Sequence, residues 1–253
     1  MTDGLYRRPL TLEQREEFER DLISFCDHEL DLLGDITNQR TLYAGGASLL
    51  WLEGLSDRIG PNGSLTALEA DPQRIEDSHI ALKDTEFQTP IEIVEGSVFE
   101  PPFEDGEFDL VYSAGLFHEL DVRDRSVEAA ISALAAVVRP GGRLATSDFV
   151  DSVDAVQLED EALDRARAFS RTGARLYGVH APEVLVESHE AVLSEIWWQV
   201  LPPQSIRHLD KLVLAEELDY SDEFRERREV LMERVRREGF TRPATLYVEG
   251  KVV

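Results

Sequence analysis

Three features in the first half of the chain have residue types and spacing that suit chemistry. Gly45 and Gly46 follow a short apolar stretch, and a turn without Cβ atoms lets the backbone come close to a ligand. Glu69 lies 24 positions after Gly45, at the end of a second apolar stretch. Its carboxylate only accepts hydrogen bonds, so it can bind two neighbouring hydroxyl groups. His118 follows another apolar stretch and can exchange a proton near neutral pH.

Each of these residues also has an ordinary structural interpretation. Two glycines form a common turn between a strand and a helix, and Glu69 could be an exposed loop acid in a chain that is rich in acids. A histidine after a strand commonly caps or packs against the next helix. The sequence leaves these alternatives open.

Strand and helix patterns alternate over the first 150 residues, and this alternation predicts how the candidate residues are positioned. Strands are predicted at 41–44, 64–70, 91–94, 108–113 and 143–149, and helices at 48–59, 72–82 and 127–138. Pro140-Gly141-Gly142 is predicted to end the last of these helices. Because each crossover helix must cover a sheet face, the pattern predicts a parallel, doubly wound sheet with ligands at the carboxyl ends of its strands.

The remaining segments are predicted to flank and complete this sheet. A capping box at Thr11 begins a predicted amphipathic helix over 12–33, and further helices are predicted at 158–170, 182–193 and 224–238. Strands at 195–201 and 244–252 are predicted to form an antiparallel edge pair. Trp197 and Trp198 alternate on the first of these strands, so one is predicted in the core and the other beneath lid helices.

Charge and cysteine content exclude several classes of protein. The 253 residues carry 26 Lys and Arg against 51 Asp and Glu, a formal charge of −25, which argues against nucleic-acid and membrane-surface partners. An acidic chain with only three lysines resembles proteins of salt-loving cytoplasms, although an acidic protein from a GC-rich genome fits too. Cys26, the single cysteine, excludes an internal disulfide and a multi-cysteine zinc site, and is predicted in the core. Without an apolar signal or spanning segment, the protein is expected to be soluble and cytoplasmic.

Five segments stand in the order and spacing of a known family. They are Thr41-Leu-Tyr-Ala-Gly-Gly-Ala-Ser48, Leu65-Thr-Ala-Leu-Glu-Ala-Asp71, Glu95-Gly-Ser-Val-Phe99, Phe108-Asp-Leu-Val-Tyr-Ser113 and Val138-Arg-Pro-Gly-Gly-Arg-Leu-Ala145. Over about residues 40–150 they resemble class I S-adenosylmethionine-dependent methyltransferases, in particular the branch with the ubiquinone and menaquinone biosynthesis enzymes. The resemblance implies an α/β, Rossmann-like, doubly wound and mostly parallel seven-stranded sheet, with an antiparallel C-terminal edge pair and a helical lid.

The resemblance also implies one domain, 1–253, and an S-adenosylmethionine site within it. The lid would comprise the helix in 1–36 and the helices of 152–193, the cofactor-binding core would be 40–150, and 194–253 would hold the terminal strands and helix. Glu69 would bind the ribose hydroxyls, and His118 is the candidate general base. The predicted cofactor-binding residues are Tyr43, Gly45, Gly46, Ala47, Glu69, Ala70, Ser97, Val98 and Ser113.

Four positions depart from the family pattern. Tyr43 stands where the family usually has an acid, Ala47 and Leu49 where it has glycines, and Ser97 where it has an aspartate. Val98 and the adjacent Phe99 could hold the adenine ring or belong to the core. The hydroxyl groups of Tyr43 and of Tyr177 in the predicted lid are candidate substitutes for the lost contacts.

Three functions compete at this point. The first is methyl transfer to a small-molecule acceptor, and the second is a non-catalytic protein of the same fold with a binding or regulatory role. The third, a nucleotide-dependent oxidoreductase, ranks last because Gly45-Gly46-Ala47 lacks the G-x-G-x-x-G spacing. No metal is expected, because Ser113-Ala114-Gly115 supplies no carboxylate or amide ligand after its strand. A homodimer is possible, but the sequence does not determine the oligomeric state.

Overall fold

The structure is a computed structural model that describes residues 10–83, 85–120, 126–150, 154–172, 181–215 and 221–253. The strands are β1 (Arg40–Ala44), β2 (Ser64–Glu69), β3 (Ile91–Glu95), β4 (Phe108–Ala114), β5 (Val138–Phe149), β6 (Ser194–Leu201) and β7 (Thr245–Lys251). The helices are α1 (Leu12–Asp31), α2 (Leu49–Ile59), α3 (Pro72–Leu82), α4 (Ser126–Ala136), α5 (Ala155–Thr172), α6 (Pro182–Glu190), α7 (Leu209–Ala215) and α8 (Asp222–Glu238).

All seven strands form one sheet in the order β3-β2-β1-β4-β5-β7-β6. Strands β1 to β5 are parallel, whereas β7 lies antiparallel between β5 and β6. The chain order reverses between β1 and β4, which is the position where open parallel sheets bind ligands. The predicted doubly wound sheet with an antiparallel C-terminal pair is therefore confirmed.

Alternation along the strands divides the core between the two faces of the sheet. In β1, Leu42 and Ala44 are buried on the face covered by α4 and α6, whereas Tyr43 between them is buried on the face covered by α1 and α2. Both faces of the central strands are thus apolar, as a parallel sheet requires. Cys26 on α1 is buried, as predicted.

Local capping signals fix the starts of two helices where the sequence places them. Thr11 and Gln14 form the predicted capping box at the start of α1. Asp71 Oδ1 accepts the backbone N–H of Gln73 (2.9 Å), and α3 begins at Pro72. Among the described residues, no helix is long and apolar enough to cross a membrane.

The prediction that Pro140-Gly141-Gly142 ends a helix is wrong. Helix α4 ends earlier, at Ala136, and the three residues form an irregular part of β5, where the pairing jumps from Phe108–Val138 to Leu110–Arg143. A Cβ at Gly142 would lie 2.8 Å from the carbonyl oxygen of Asp109, so glycine is needed for the close approach of the strands.

Three further differences lie in the C-terminal half. Neither Trp197 nor Trp198 is in the core: their residues are 47% and 45% exposed on β6, the edge strand, so the prediction of one core tryptophan and one beneath a lid is wrong. The short helix α7 was not predicted from the sequence. Of the predicted lid segment 152–193, α6 contributes Leu185 and Val186 to the core of the sheet.

Candidate active site

The carboxyl ends of the parallel strands bring the predicted site residues to one edge of the sheet. Ala44 pairs with Leu68, Glu69 pairs with Glu95, and Ala114 pairs with Ser147. Consequently the turns that follow β1, β2, β3, β4 and β5 lie side by side. The sequence prediction that these segments share one edge is correct because it depends only on parallel pairing.

The turn after β1 needs glycine, and its two amides bond within the protein. Gly45 has φ +84°, a left-handed conformation that favours glycine. The N–H groups of Gly45 and Gly46 both donate to the carbonyl oxygen of Leu68, each at 3.0 Å. A Cβ at Gly45 would lie 2.9 Å from Cδ1 of Leu116. Both amides are therefore already used within the protein, and the approach of this turn to a cofactor stays a prediction.

Tyr43 and Ala47 support this turn from within the protein. Tyr43 is 2% exposed, and its ring stacks on Tyr112 with centroids 6.1 Å apart. Burial raises the pKa of the Tyr43 hydroxyl. Ala47 is buried, and its carbonyl oxygen accepts the hydroxyl of Ser78 at 3.0 Å. Both residues are core residues in the structure, and their contact with a cofactor stays a prediction.

Glu69 is a buried carboxylate held by its own loop. Its Oε1 accepts the backbone N–H groups of Ala70 (2.8 Å) and Asp71 (2.9 Å), and the residue is 6% exposed. No donor within the described parts of the chain binds Oε2. The carboxylate is therefore oriented by the backbone while one oxygen remains for a ligand hydroxyl. Ala70 is exposed directly beside it.

The loop after β3 places one aromatic ring on the same edge. Ser97 is exposed and its Oγ accepts the N–H of Phe99 at 3.2 Å, forming a tight turn. Val98 is buried in the core, but Phe99 is 42% exposed. Phe99 thus offers an apolar surface on which a planar ring could lie, and the contact of Val98 or Phe99 with an adenine ring stays a prediction.

His118 is positioned by an aspartate that the sequence did not reveal. It lies in a single 3-10 turn, Phe117–Glu119, and its Nδ1 is 2.8 Å from Asp148 Oδ1 at the end of β5. Asp148 also accepts the backbone N–H groups of Phe117 and Phe149. Burial lowers the pKa of His118, but the hydrogen bond and charge of Asp148 outweigh it, so the pKa is raised.

Ser113 is fully buried on β4, and its Oγ has no hydrogen-bond partner among the described residues. A buried hydroxyl without a partner is uncommon, because its desolvation is then uncompensated. The position is consistent with the prediction that Ser113 belongs to the site, but its role stays a prediction.

A cavity of about 110 Å³ lies between the ends of β4 and β5, α1, and the start of β7. Three charged residues that line it, Glu29, Asp148 and Arg242, were not predicted from the sequence. Only Asp148 carries a signal that could have found it, an acid at the end of a predicted strand. The full lining is Glu29, Trp51, Ala114, Gly115, His118, Ser147, Asp148, Phe149, Arg242 and Thr245.

Glu29 and Arg242 dominate the electrostatics of this cavity. Glu29 is 2% exposed and its Oε2 accepts the hydroxyl of Ser147. Burial raises the pKa of Glu29 to about 7, against the opposing effects of the Ser147 hydrogen bond and the charge of Arg242. The Arg242 guanidinium lies between two rings, 4.0 Å from the centroid of Phe25 and 4.9 Å from that of Phe149.

No group of three or more His, Cys, Asp or Glu side chains within the described ranges is arranged to hold a metal ion. Tyr177, the lid residue suggested as a substitute contact, lies outside the described residues.

One family model and several solved structures resemble this chain. Residues 43–146 match a family model described as a methyltransferase domain. A cyclopropane-fatty-acyl-phospholipid synthase-like protein from Lactobacillus casei ATCC 334 is 14% identical, with a TM-score of 0.67 over 98% of this chain and 96% of that one. Geranyl diphosphate C-methyltransferase from Streptomyces coelicolor A3(2) is 10% identical, with a TM-score of 0.63 over 100% and 90%.

A third structure, a protein from Bacillus halodurans C-125 described as a methyltransferase, is 12% identical, with a TM-score of 0.62 over 90% of this chain and 98% of that chain. No curated protein matches the sequence significantly. At these identities the solved structures establish the fold, and the matched segment 43–146 covers the strand ends that carry Gly45, Glu69 and His118.

Proposed function

We propose that this protein transfers a methyl group from S-adenosylmethionine to a small-molecule acceptor. The observation that carries the proposal is Glu69, a buried carboxylate fixed by its own loop with Oε2 free, inside the segment that matches a methyltransferase domain. The Streptomyces coelicolor structure is of a methyltransferase in complex with geranyl diphosphate and S-adenosyl-L-homocysteine. That complex supports a nucleoside and a small acceptor as ligands of the shared fold.

The residues present fit the adenosine part of the cofactor. Glu69 Oε2 is an acceptor for a ribose hydroxyl, and Phe99 provides an exposed ring near the end of β3. Gly45 keeps the turn after β1 free of a Cβ that would press on Leu116. When bound there, S-adenosylmethionine would supply an electrophilic methyl group for an acceptor lone pair, and its sulfur would keep the electron pair of the broken bond.

This chain would position the acceptor and receive its proton. The cavity at the ends of β4 and β5 lies beside Gly115, on the side of β4 away from Glu69. With Nδ1 of His118 bonded to Asp148, its Nε2 can take a proton from an N–H or O–H group of the acceptor. The raised pKa strengthens this base, while Asp148 fixes the orientation of the ring.

Two finer parts of the sequence prediction are included in the proposal. Helix α5 would cover the edge as part of a lid, and its Glu161 lies close enough to His118 to raise the pKa of the histidine. Within the family, the quinone-biosynthesis branch remains the proposed kinship, on the five motifs of residues 41–145.

The test is calorimetric titration of S-adenosylmethionine and S-adenosylhomocysteine into the wild type, Glu69→Gln and Glu95→Gln. Glu95 is a matched control because it pairs with Glu69 in register on β3 and is exposed. Loss of hydrogen bonds to a charged acceptor costs about 1.5–3 kcal/mol, so Glu69→Gln should bind roughly 10–150-fold more weakly. Glu95→Gln should bind as the wild type does.

A wild type that binds neither nucleoside, at low and at molar salt, would contradict the proposal. That outcome would favour a non-catalytic protein of the same fold. One observation already favours this second function: the Leu116 side chain lies directly over Gly45, where a Cβ would come within 2.9 Å of it. The turn is thus covered by an apolar group, and both amides of the glycine pair are already used.

A further inference from the structure

The cavity beside Gly115 contains buried polar atoms that the protein itself does not satisfy. Glu29 Oε1, Arg242 Nε and Thr245 Oγ1 form no hydrogen bond of good geometry with a described residue, although the Thr245 hydroxyl lies close enough to Glu29 to lower its pKa. Glu29 and Thr245 are each 2% exposed, and all three residues line the same cavity of about 110 Å³. Because unpaired buried polar groups are costly, their convergence on one cavity indicates a site built for a polar ligand.

Arg242 is held in place near the charge of Glu29, but it forms no direct ion pair in the described structure. Its backbone N–H donates to Gln204 O (2.9 Å) and its carbonyl oxygen accepts the N–H of Gln204 (3.2 Å). Its guanidinium stacks between Phe25 and Phe149 and forms no ion pair with a described carboxylate. A guanidinium fixed between two rings presents its planar edge of N–H donors, which matches a carboxylate.

The other charged groups of the cavity leave this cation unbalanced. Asp148 is already occupied by His118 and by two backbone N–H groups. Glu29 is bonded to Ser147 through one oxygen, and burial raises its pKa to about 7, so a fraction of it is neutral at that pH. The remaining positive charge of Arg242 therefore favours an anion.

We infer that this cavity binds a small carboxylate, with Arg242 on the carboxylate group and Glu29 Oε1 on a neighbouring N–H or O–H group of the same molecule. Under the proposed function, on which this assignment of a role rests, the molecule is the methyl acceptor. The volume corresponds to roughly four water-sized groups, which suits an amino or hydroxy acid of two or three carbons.

The test uses the full-length protein without any nucleoside, so that it can succeed or fail independently of S-adenosylmethionine binding. Glycine and glycolate are titrated at millimolar concentration and followed by NMR saturation transfer. Acetate lacks the second polar group, and 2-aminoethanol and ethylene glycol lack the carboxylate. We expect glycine to bind at least tenfold more tightly than 2-aminoethanol, or glycolate at least tenfold more tightly than ethylene glycol.

Variants assign the two contacts separately. Arg242→Met should weaken glycine and glycolate binding at least tenfold, whereas Arg207→Met, which removes an exposed arginine paired with Asp21, should not. Glu29→Leu, which removes both carboxyl oxygens at similar side-chain size, should abolish the preference for glycolate over acetate and leave acetate binding unchanged. Circular dichroism checks that each variant folds.

Two outcomes would overturn the inference. One is a wild type that shows no preference for the carboxylates over 2-aminoethanol and ethylene glycol, which indicates a cavity filled only by water. The other is a folded Arg242→Met protein that binds glycolate as the wild type does. If Arg242→Met does not fold, the comparison of ligands on the wild type decides alone.

Discussion

His189 is a fully buried histidine that should make the protein lose stability in mild acid. It lies on α6, 1% exposed, with Nδ1 2.6 Å from Leu185 O and Nε2 2.8 Å from Thr146 Oγ1. A carbonyl oxygen only accepts hydrogen bonds, so Nδ1 carries the proton, and Nε2 accepts the threonine hydroxyl in the neutral ring. A second proton would remove that acceptor and place a charge in the core.

The magnitude follows from the difference in pKa between the folded and unfolded chain. Burial lowers the pKa of His189 to about 4, although the bond to Leu185 and the charge of Asp148 oppose it. An unfolded chain has a value near 6.5, so between these pH values the unfolded state binds the additional proton. The contribution of neutral His189 to the free energy of unfolding is therefore fully present above about pH 6.5. It falls by about 2 kcal/mol by pH 5 and by about 3 kcal/mol by pH 4.

The measurement is urea unfolding of the wild type and His189→Gln between pH 8 and pH 5. Taking the difference between the two proteins removes the contributions of Glu29 and His118, which both proteins share. His28→Gln, which replaces an exposed histidine of α1, controls for the loss of one histidine. The stability advantage of the wild type over His189→Gln should shrink by about 2 kcal/mol towards pH 5. An advantage that is the same at both pH values would contradict the assignment of His189 as a buried neutral base.

Two further pairs of variants test the site and its core. Gly45→Ala and Gly34→Ala both place a side chain at positive φ, and each should lower the free energy of unfolding in urea by about 1–2 kcal/mol. Only the Cβ of Gly45→Ala meets a neighbouring side chain, so only this variant should bind S-adenosylmethionine tenfold or more weakly by calorimetry. Equal binding by both variants would count against a ligand at this turn. Tyr112→Phe removes a buried hydroxyl that has no partner among the described residues, and it should stabilise the protein by about 1 kcal/mol in thermal unfolding. Tyr247→Phe removes a hydroxyl that donates to the Glu249 carboxylate, and it should destabilise the protein by about the same amount. A change of the same sign in both variants would be incompatible with these contacts.

Much of the fold could be predicted because its signals are local. The short apolar run of β1, the caps at Thr11 and Asp71, and the glycine turns depend on residues close to each other in the sequence. The prediction that Pro140-Gly141-Gly142 ends a helix was wrong for the opposite reason. These residues belong to β5, and their conformation is set by the register of β5 with β4. The exposure of Trp197 likewise depends on the position of β6 at the sheet edge.

The amino-acid sequence by itself determined that Gly45, Glu69 and His118 lie on one edge, because parallel strands must end together. Only the tertiary structure decided which charges surround that edge. Glu29 binds Ser147, 118 positions later, and Arg242 joins them from the segment before β7. No local pattern marks these residues, since their burial, their shifted pKa values and their lack of partners exist only once α1, β5 and β7 are packed together.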